Sequence, residues 1–130
     1  GKSIQLNSSF VPSYIGRADA QCMLGMFQES ISDYTQAIDI DEGLAVVPNN
    51  LAVAYCKRAI ARRTIGEFST AIIDFDTAIR HYAEFWSAFF NRGLAKEKLG
   101  DNEGAVEDWK IAMQNGDPFA RKFLDERGLI

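Results

Sequence analysis

GLAKEKLGDNEGAVEDWKIAM, Gly93 to Met113, is the third copy of a pattern that runs through most of this 130-residue chain. Its landmark is Leu99-Gly100, matched upstream by Ile65-Gly66 and Leu24-Gly25. Five residues after each glycine stands a small residue (Ser30, Ala71, Ala105) and six after it an aliphatic one (Ile31, Ile72, Val106). The eighth place is always aspartate (Asp33, Asp74, Asp108), the ninth aromatic (Tyr34, Phe75, Trp109) and the twelfth alanine (Ala37, Ala78, Ala112). Before the glycine, the eighth place is always arginine (Arg17, Arg58, Arg92) and the eleventh aromatic (Tyr14, Tyr55, Phe89). Each copy therefore holds two helical patterns joined by a glycine turn, and neither helix can bury its apolar face without the other.

Gly66 and Gly100 lie 34 residues apart, and with that period and these small and aromatic positions the chain resembles the tetratricopeptide-repeat (TPR) family over about Val11 to Asp117. It departs from the family pattern in three ways. The first-helix tryptophan is Tyr14, Tyr55 or Phe89; the later tyrosine is Gln21, Arg62 or Lys96; and the closing proline is Glu42, Ala83 or Asp117. The resemblance implies an all-α, right-handed superhelical solenoid of three antiparallel helix pairs with a capping helix. It also implies a non-catalytic protein-interaction module that takes a peptide or helix of a partner in its concave groove. The alternative is a structural or assembly domain that self-associates or packs on other parts of a larger complex.

A composition with 47% hydrophobic and 25% charged residues is that of a folded globular domain. A net charge of −4 opposes a nucleic-acid groove, which needs clustered Lys and Arg. Cys22 and Cys56 lie in different repeats without CxxC spacing, so no zinc site, disulfide framework or cofactor is expected, and two reduced thiols fit the cytoplasm or another reducing intracellular compartment. The sequence holds no apolar run long enough to insert directly into a membrane. A monomer or weak homodimer is expected.

Residues 1–10 read as a flexible lead-in. Three units follow at about 11–42, 52–85 and 86–117, with the first helix expected to start near Pro12 and the second to end near Asp41. Gly25 and Gly66 are 41 residues apart, which places an insertion at about 43–51, expected as an inter-repeat loop. Asp101 is a candidate N-cap, and Asp117-Pro118 opens a capping helix within 118–130 that stops at Gly128.

Catalytic candidates are few. The single histidine, His81, falls in a last helical turn, where its ordinary role is to meet the helix dipole. Asp39, Asp41 and Glu42 form a solvated charge cluster, not a metal site. The repeated Arg17, Arg58 and Arg92 are expected to pair with Asp33, Asp74 and Asp108 as a ladder of partly buried ion pairs.

The first helices line the groove in this family, so its side chains would be Ile15, Asp19, Cys22, Cys56, Lys57, Ile60, Arg63, Trp86, Phe90, Asn91, Leu94 and Glu97. Phe90, with Trp86, Ile60 and Leu94 around it, is the expected anchor, and Asp19 and Glu97 would match a ligand of some basic character. The five positions of the family's carboxylate clamp, which grips heat-shock chaperone tails, hold Ile15, Asp19, Lys57, Ser87 and Asn91. Only Lys57 offers a cation, so clamp binding is not expected.

Overall fold

The computed structural model describes residues 10–44 and 48–130. It consists, in chain order, of α1 (Phe10–Met23), α2 (Phe27–Leu44), α3 (Pro48–Thr64), α4 (Phe68–His81), α5 (Trp86–Lys98), α6 (Asn102–Gln114) and α7 (Pro118–Glu126). The described residues contain no strand. Helices pair as α1 with α2, α3 with α4 and α5 with α6, and the pairs stack through α2 on α3, α4 on α5 and α6 on α7. The first helices also meet directly, α3 touching α5. The fold is an all-α solenoid.

Each hairpin turns at its glycine. Gly25, Gly66 and Gly100 have φ of 77°, 89° and 90°, a region that any Cβ would strain. The two residues after the helix then cap its last carbonyls: Gly100 N–H donates to Glu97 O at 3.0 Å and Asp101 N–H to Lys96 O at 2.9 Å. The same pair of bonds recurs at Gly25-Met26 and Gly66-Glu67. Just beyond, Ser30, Ala71 and Ala105 are fully buried where the two helices cross, as are Ala37, Ala78 and Ala112 a turn or two later.

Three expectations about boundaries need correction. Helix α1 begins at Phe10 rather than Pro12, and α2 runs on to Leu44 rather than Asp41. The segment expected as a loop from Gly43 to Asn50 is largely helical, because α2 ends at Leu44 and α3 begins at Pro48. Pro48 needs no N–H in a first turn, so it opens α3 earlier than the repeat pattern requires. Residues 45–47, and the lead-in before Phe10, lie outside the described residues.

Asp101 accepts from Gly104 N–H at 2.9 Å and Asp117 from Phe119 N–H at 2.9 Å, so α6 and α7 start on side-chain caps. Helix α7 buries Ala120 and Leu124 and wedges the Phe123 ring against Trp109 (centroids 4.8 Å apart) and Phe90 (5.2 Å). His81 closes α4 and stacks on Tyr55.

The third repeat shows how ring size and helix separation trade against each other. A Cβ on Gly93 would stand 2.5 Å from Trp109 Nε1 and 3.0 Å from the Ala105 carbonyl. The Trp109 indole itself donates to Phe90 O at 3.2 Å. In the other two repeats the place of Gly93 is taken by buried Ala18 and Ala59, and there the facing rings are the smaller Tyr34 and Phe75. Gly93→Ala should therefore destabilise the protein by about 1–3 kcal/mol, the ordinary cost of overpacking. Adding Trp109→Phe should return most of that loss in thermal unfolding, because it recreates the alanine and phenylalanine pairing of the second repeat.

Candidate functional site

The repeated charges meet within each hairpin. Arg17 Nε and Nη2 donate to the two Asp33 oxygens at 2.6 and 2.7 Å, Arg58 to Asp74 at 2.9 and 2.8 Å, and Arg92 to Asp108 at 2.8 and 2.7 Å. Each guanidinium also lies over the aromatic ring of its own helix, Tyr14, Tyr55 or Phe89, at 5.5, 5.3 and 5.2 Å. The aromatic three residues before each arginine therefore holds the fork flat against the helix. Burial works against the charge of Arg58 and Arg92, but the hydrogen bonds and attraction from Asp74 and Asp108 outweigh it, so both guanidinium pKa values rise.

A second layer was not visible in the repeat pattern. Arg62 Nη1 reaches Asp74 at 2.8 Å and Lys96 Nζ reaches Asp108 at 3.1 Å. These occupy the place of the family's late tyrosine, and the available signal was a cation four residues after Arg58 and after Arg92, hence on the same helical face. The first repeat has Gln21 there, with its Oε1 buried and unpaired.

The side chains of α1, α3 and α5 that the sequence places on the inner surface mostly have partners within the chain. Asp19 accepts from Tyr34 Oη at 2.5 Å and from Lys57 Nζ at 2.7 Å, a bridge from α1 to α3. Glu97 accepts from Arg127 Nη1 at 2.6 Å, tying α5 to the end of α7. Both carboxylates expected to meet a basic ligand thus already have cations within the chain. Ile15 packs among the clusters of Ala18, Ala37 and Ile38, Ile60 against the Phe75 cluster, and Leu94 against Trp109 and Leu124. Asn91 Nδ2 donates to Ser87 O at 2.8 Å.

Phe90 is the clearest correction. It packs against the buried clusters around Ala112 and Trp109 of its own hairpin, and α7 covers it: its ring meets Phe119 and Phe123 edge-on at 5.5 and 5.2 Å. It is a seat for the capping helix and not an open anchor. Cys56, also placed on the groove, is 2% exposed and belongs to the core of the second repeat. Cys22 lies half-buried, its Sγ 3.7 Å from Tyr34 Oη. Trp86 stays open at 42% exposure, and Val53 on α3 is exposed too.

Arg63 stands apart. Its Nε is buried without a hydrogen bond, and burial alone lowers its pKa. Among the described residues no carboxylate pairs with it, whereas Arg17, Arg58, Arg62, Arg92 and Arg127 each have one. No group of three His, Cys, Asp or Glu among the described residues could hold a metal ion, and no helix there is long and apolar enough to cross a membrane.

Comparison with known proteins agrees with this architecture. The chain is 31% identical over 90 residues to RNA polymerase II-associated protein 3 of Xenopus tropicalis, covering 69% of this chain but 13% of that protein. It is 28% identical over 120 residues to human tetratricopeptide repeat protein 36, covering 88% of this chain and 63% of that one. The Arabidopsis OM64 TPR domain superposes with a TM-score of 0.82 at 24% identity, over 93% of this chain and 95% of that one. The second TPR domain of human RPAP3, solved in complex with an HSP70 peptide, gives 0.77 at 25% identity over 97% of both chains. The chain has the fold of tetratricopeptide-repeat domains. No family model matches it.

Two predictions come from this geometry. Arg58→Ala strands Asp74, which is only 3% exposed in its side chain. With Arg62 still in place the loss should be about 2–3 kcal/mol, a fall of about 5–10 °C in melting temperature, against almost none for exposed Lys122→Ala. Equal shifts would contradict a structural ladder. Burial also pushes the Cys56 thiol up from 9.0 to about 12, against the pull of Ser87 and Lys57. Its thiolate fraction at pH 8 therefore falls about a thousandfold, so alkylation of the folded protein should leave Cys56 unmodified until denaturant is added, as peptide mass mapping would show.

Proposed function

We propose that this TPR chain is a non-catalytic protein-interaction module. Its inner surface takes a helix or peptide of a partner that supplies an acidic side chain to Arg63 and an apolar one to Trp86. The observation that carries this reading is the half-buried Arg63, whose guanidinium has no carboxylate among the described residues while Asp19 and Glu97 are already satisfied. A half-buried cation without a counter-ion is a costly feature in a monomer, and an incoming carboxylate removes the cost. The second TPR domain of RPAP3 is solved with a chaperone peptide, which supports peptide binding as the class of activity.

The mode differs from a carboxylate clamp. Of the five clamp positions, Ile15 is packed in the core, Asp19 is anionic, Lys57 is spent on Asp19, and Ser87 and Asn91 bond to each other. The RPAP3 relatives extend far beyond the matched segment, so any partner of such a longer protein is a separate question.

Calorimetry with the HSP70 tail peptide, in free-acid and C-terminally amidated forms, tests the mode. The expected result is no heat that depends on the free carboxylate. Micromolar binding lost on amidation would restore the clamp reading. Partner capture tests the surface: Arg63→Gln and Trp86→Ser should each lower recovery of the same partner at least tenfold without lowering the melting temperature. Undiminished capture by both variants would remove the inner surface from consideration.

A further inference from the structure

The two interior junctions between repeats are built alike, and α1 carries the receiving half of a third. At the first junction α2 lies on α3: Tyr34 packs against Ala61, Ile38 against Ala54, and Thr35 Oγ1 accepts from Arg58 Nη1 at 3.1 Å. At the second, α4 lies on α5: Phe75 and Ala78 share a cluster with Ala88, and Asp76 accepts from Arg92 Nη1 at 2.8 Å. The covering helix therefore repeats one pattern: an aromatic, an oxygen acceptor next to it, alanine two residues on and isoleucine after that. It reads Tyr34-Thr35-Gln36-Ala37-Ile38 in α2 and Phe75-Asp76-Thr77-Ala78-Ile79 in α4.

The receiving face is a small residue, an arginine and an alanine at fixed spacing. It is Ala54, Arg58 and Ala61 on α3, and Ala88, Arg92 and Ala95 on α5, with all four alanines fully buried. On α1 the same places hold Ser13, Arg17 and Ala20, and all three are exposed. The Arg17 side chain is 61% exposed, against 13% for Arg58 and 17% for Arg92. Its Nε and Nη2 hold Asp33 as in the other repeats. Its Nη1, which in the other two crosses to the neighbouring repeat, has no acceptor among the described residues.

We infer that the Ser13–Arg17–Ala20 face of α1 is a docking site for an amphipathic α-helix of a partner protein. That helix carries an aromatic residue followed directly by aspartate or threonine, and reproduces the junction that α2 and α4 make inside the chain. Two features decide the chemistry. The small side chains at positions 13 and 20 admit a helix at close range, as alanine does in the interior junctions. The free Nη1 selects an oxygen acceptor and repels a basic residue at that place. This site is separate from the inner surface, so it stands or falls independently of Arg63 and Trp86.

The test uses the chain's own covering helix as probe, a peptide of residues 68–82 (FSTAIIDFDTAIRHY) titrated into the isotope-labelled full chain and followed by amide chemical shifts. The expected result is saturable shifts centred on Ser13, Gly16, Arg17 and Ala20. Ala20→Arg in the protein, an exposed position that leaves the fold intact, should weaken binding at least tenfold with the melting temperature unchanged. Placing lysine at the Asp76 position of the peptide should do the same. The inference is overturned by the absence of saturable shifts up to millimolar peptide, by shifts centred on α5, or by affinity indifferent to Ala20→Arg. Shifts at Ser13 to Ala20 that appear on concentrating the protein alone would assign the face to a second copy and overturn it equally.

Discussion

The side-on grip of arginine on aspartate, closed once in every hairpin, is the contact on which the rest of the structure depends. Each pair joins residues 16 apart in sequence, one on each helix of a hairpin, through two parallel hydrogen bonds. The fork is held flat by an aromatic ring beneath it. A bidentate pair of this kind fixes the rotation of one helix about its axis relative to the other, which apolar packing alone leaves loose. Because Asp74 and Asp108 are almost completely buried, their charge has to be met, and the second cations Arg62 and Lys96 meet it more fully. The same arginines then use their remaining nitrogen to reach Thr35 and Asp76 on the preceding pair. One side chain thus sets the geometry within a repeat and between repeats.

The inner surface shows a different economy. Asp19 with Lys57 ties α1 to α3, and Glu97 with Arg127 ties α5 to the end of α7, contacts spanning 38 and 30 residues. These pairs occupy the carboxylates that would otherwise meet a basic ligand. Of the residues expected to line that surface, Trp86 stays exposed and Arg63 has no carboxylate partner among the described residues.

The fold was legible in the sequence because every signal that specifies it is local and repeated. A glycine that must adopt positive φ, an alanine that must sit at a helix crossing, and an arginine eight residues before each turn recur at fixed spacing. Three copies make the reading redundant. Helix ends were less legible: α2 runs on to Leu44 through Gly43, and α3 opens already at Pro48, where proline tolerates a first turn. The ladder was readable from recurrence, but its second cations were not, since Gln21 interrupts their pattern in the first repeat.

Sequence by itself determined the repeat, the hairpin, the stacking order and the pairing partners of Arg17, Arg58 and Arg92. Only the tertiary structure decided which side chains remain available. Phe90 was expected on an open face, yet its ring packs beneath α7 and against the core of its own hairpin, and the carboxylates of Asp19 and Glu97 are already met by cations of the chain. Helical periodicity states the direction in which a side chain leaves its helix, because 3.6 residues per turn is a property of the local backbone. Whether that direction ends in water or in another residue depends on elements many residues away, and no local period encodes it.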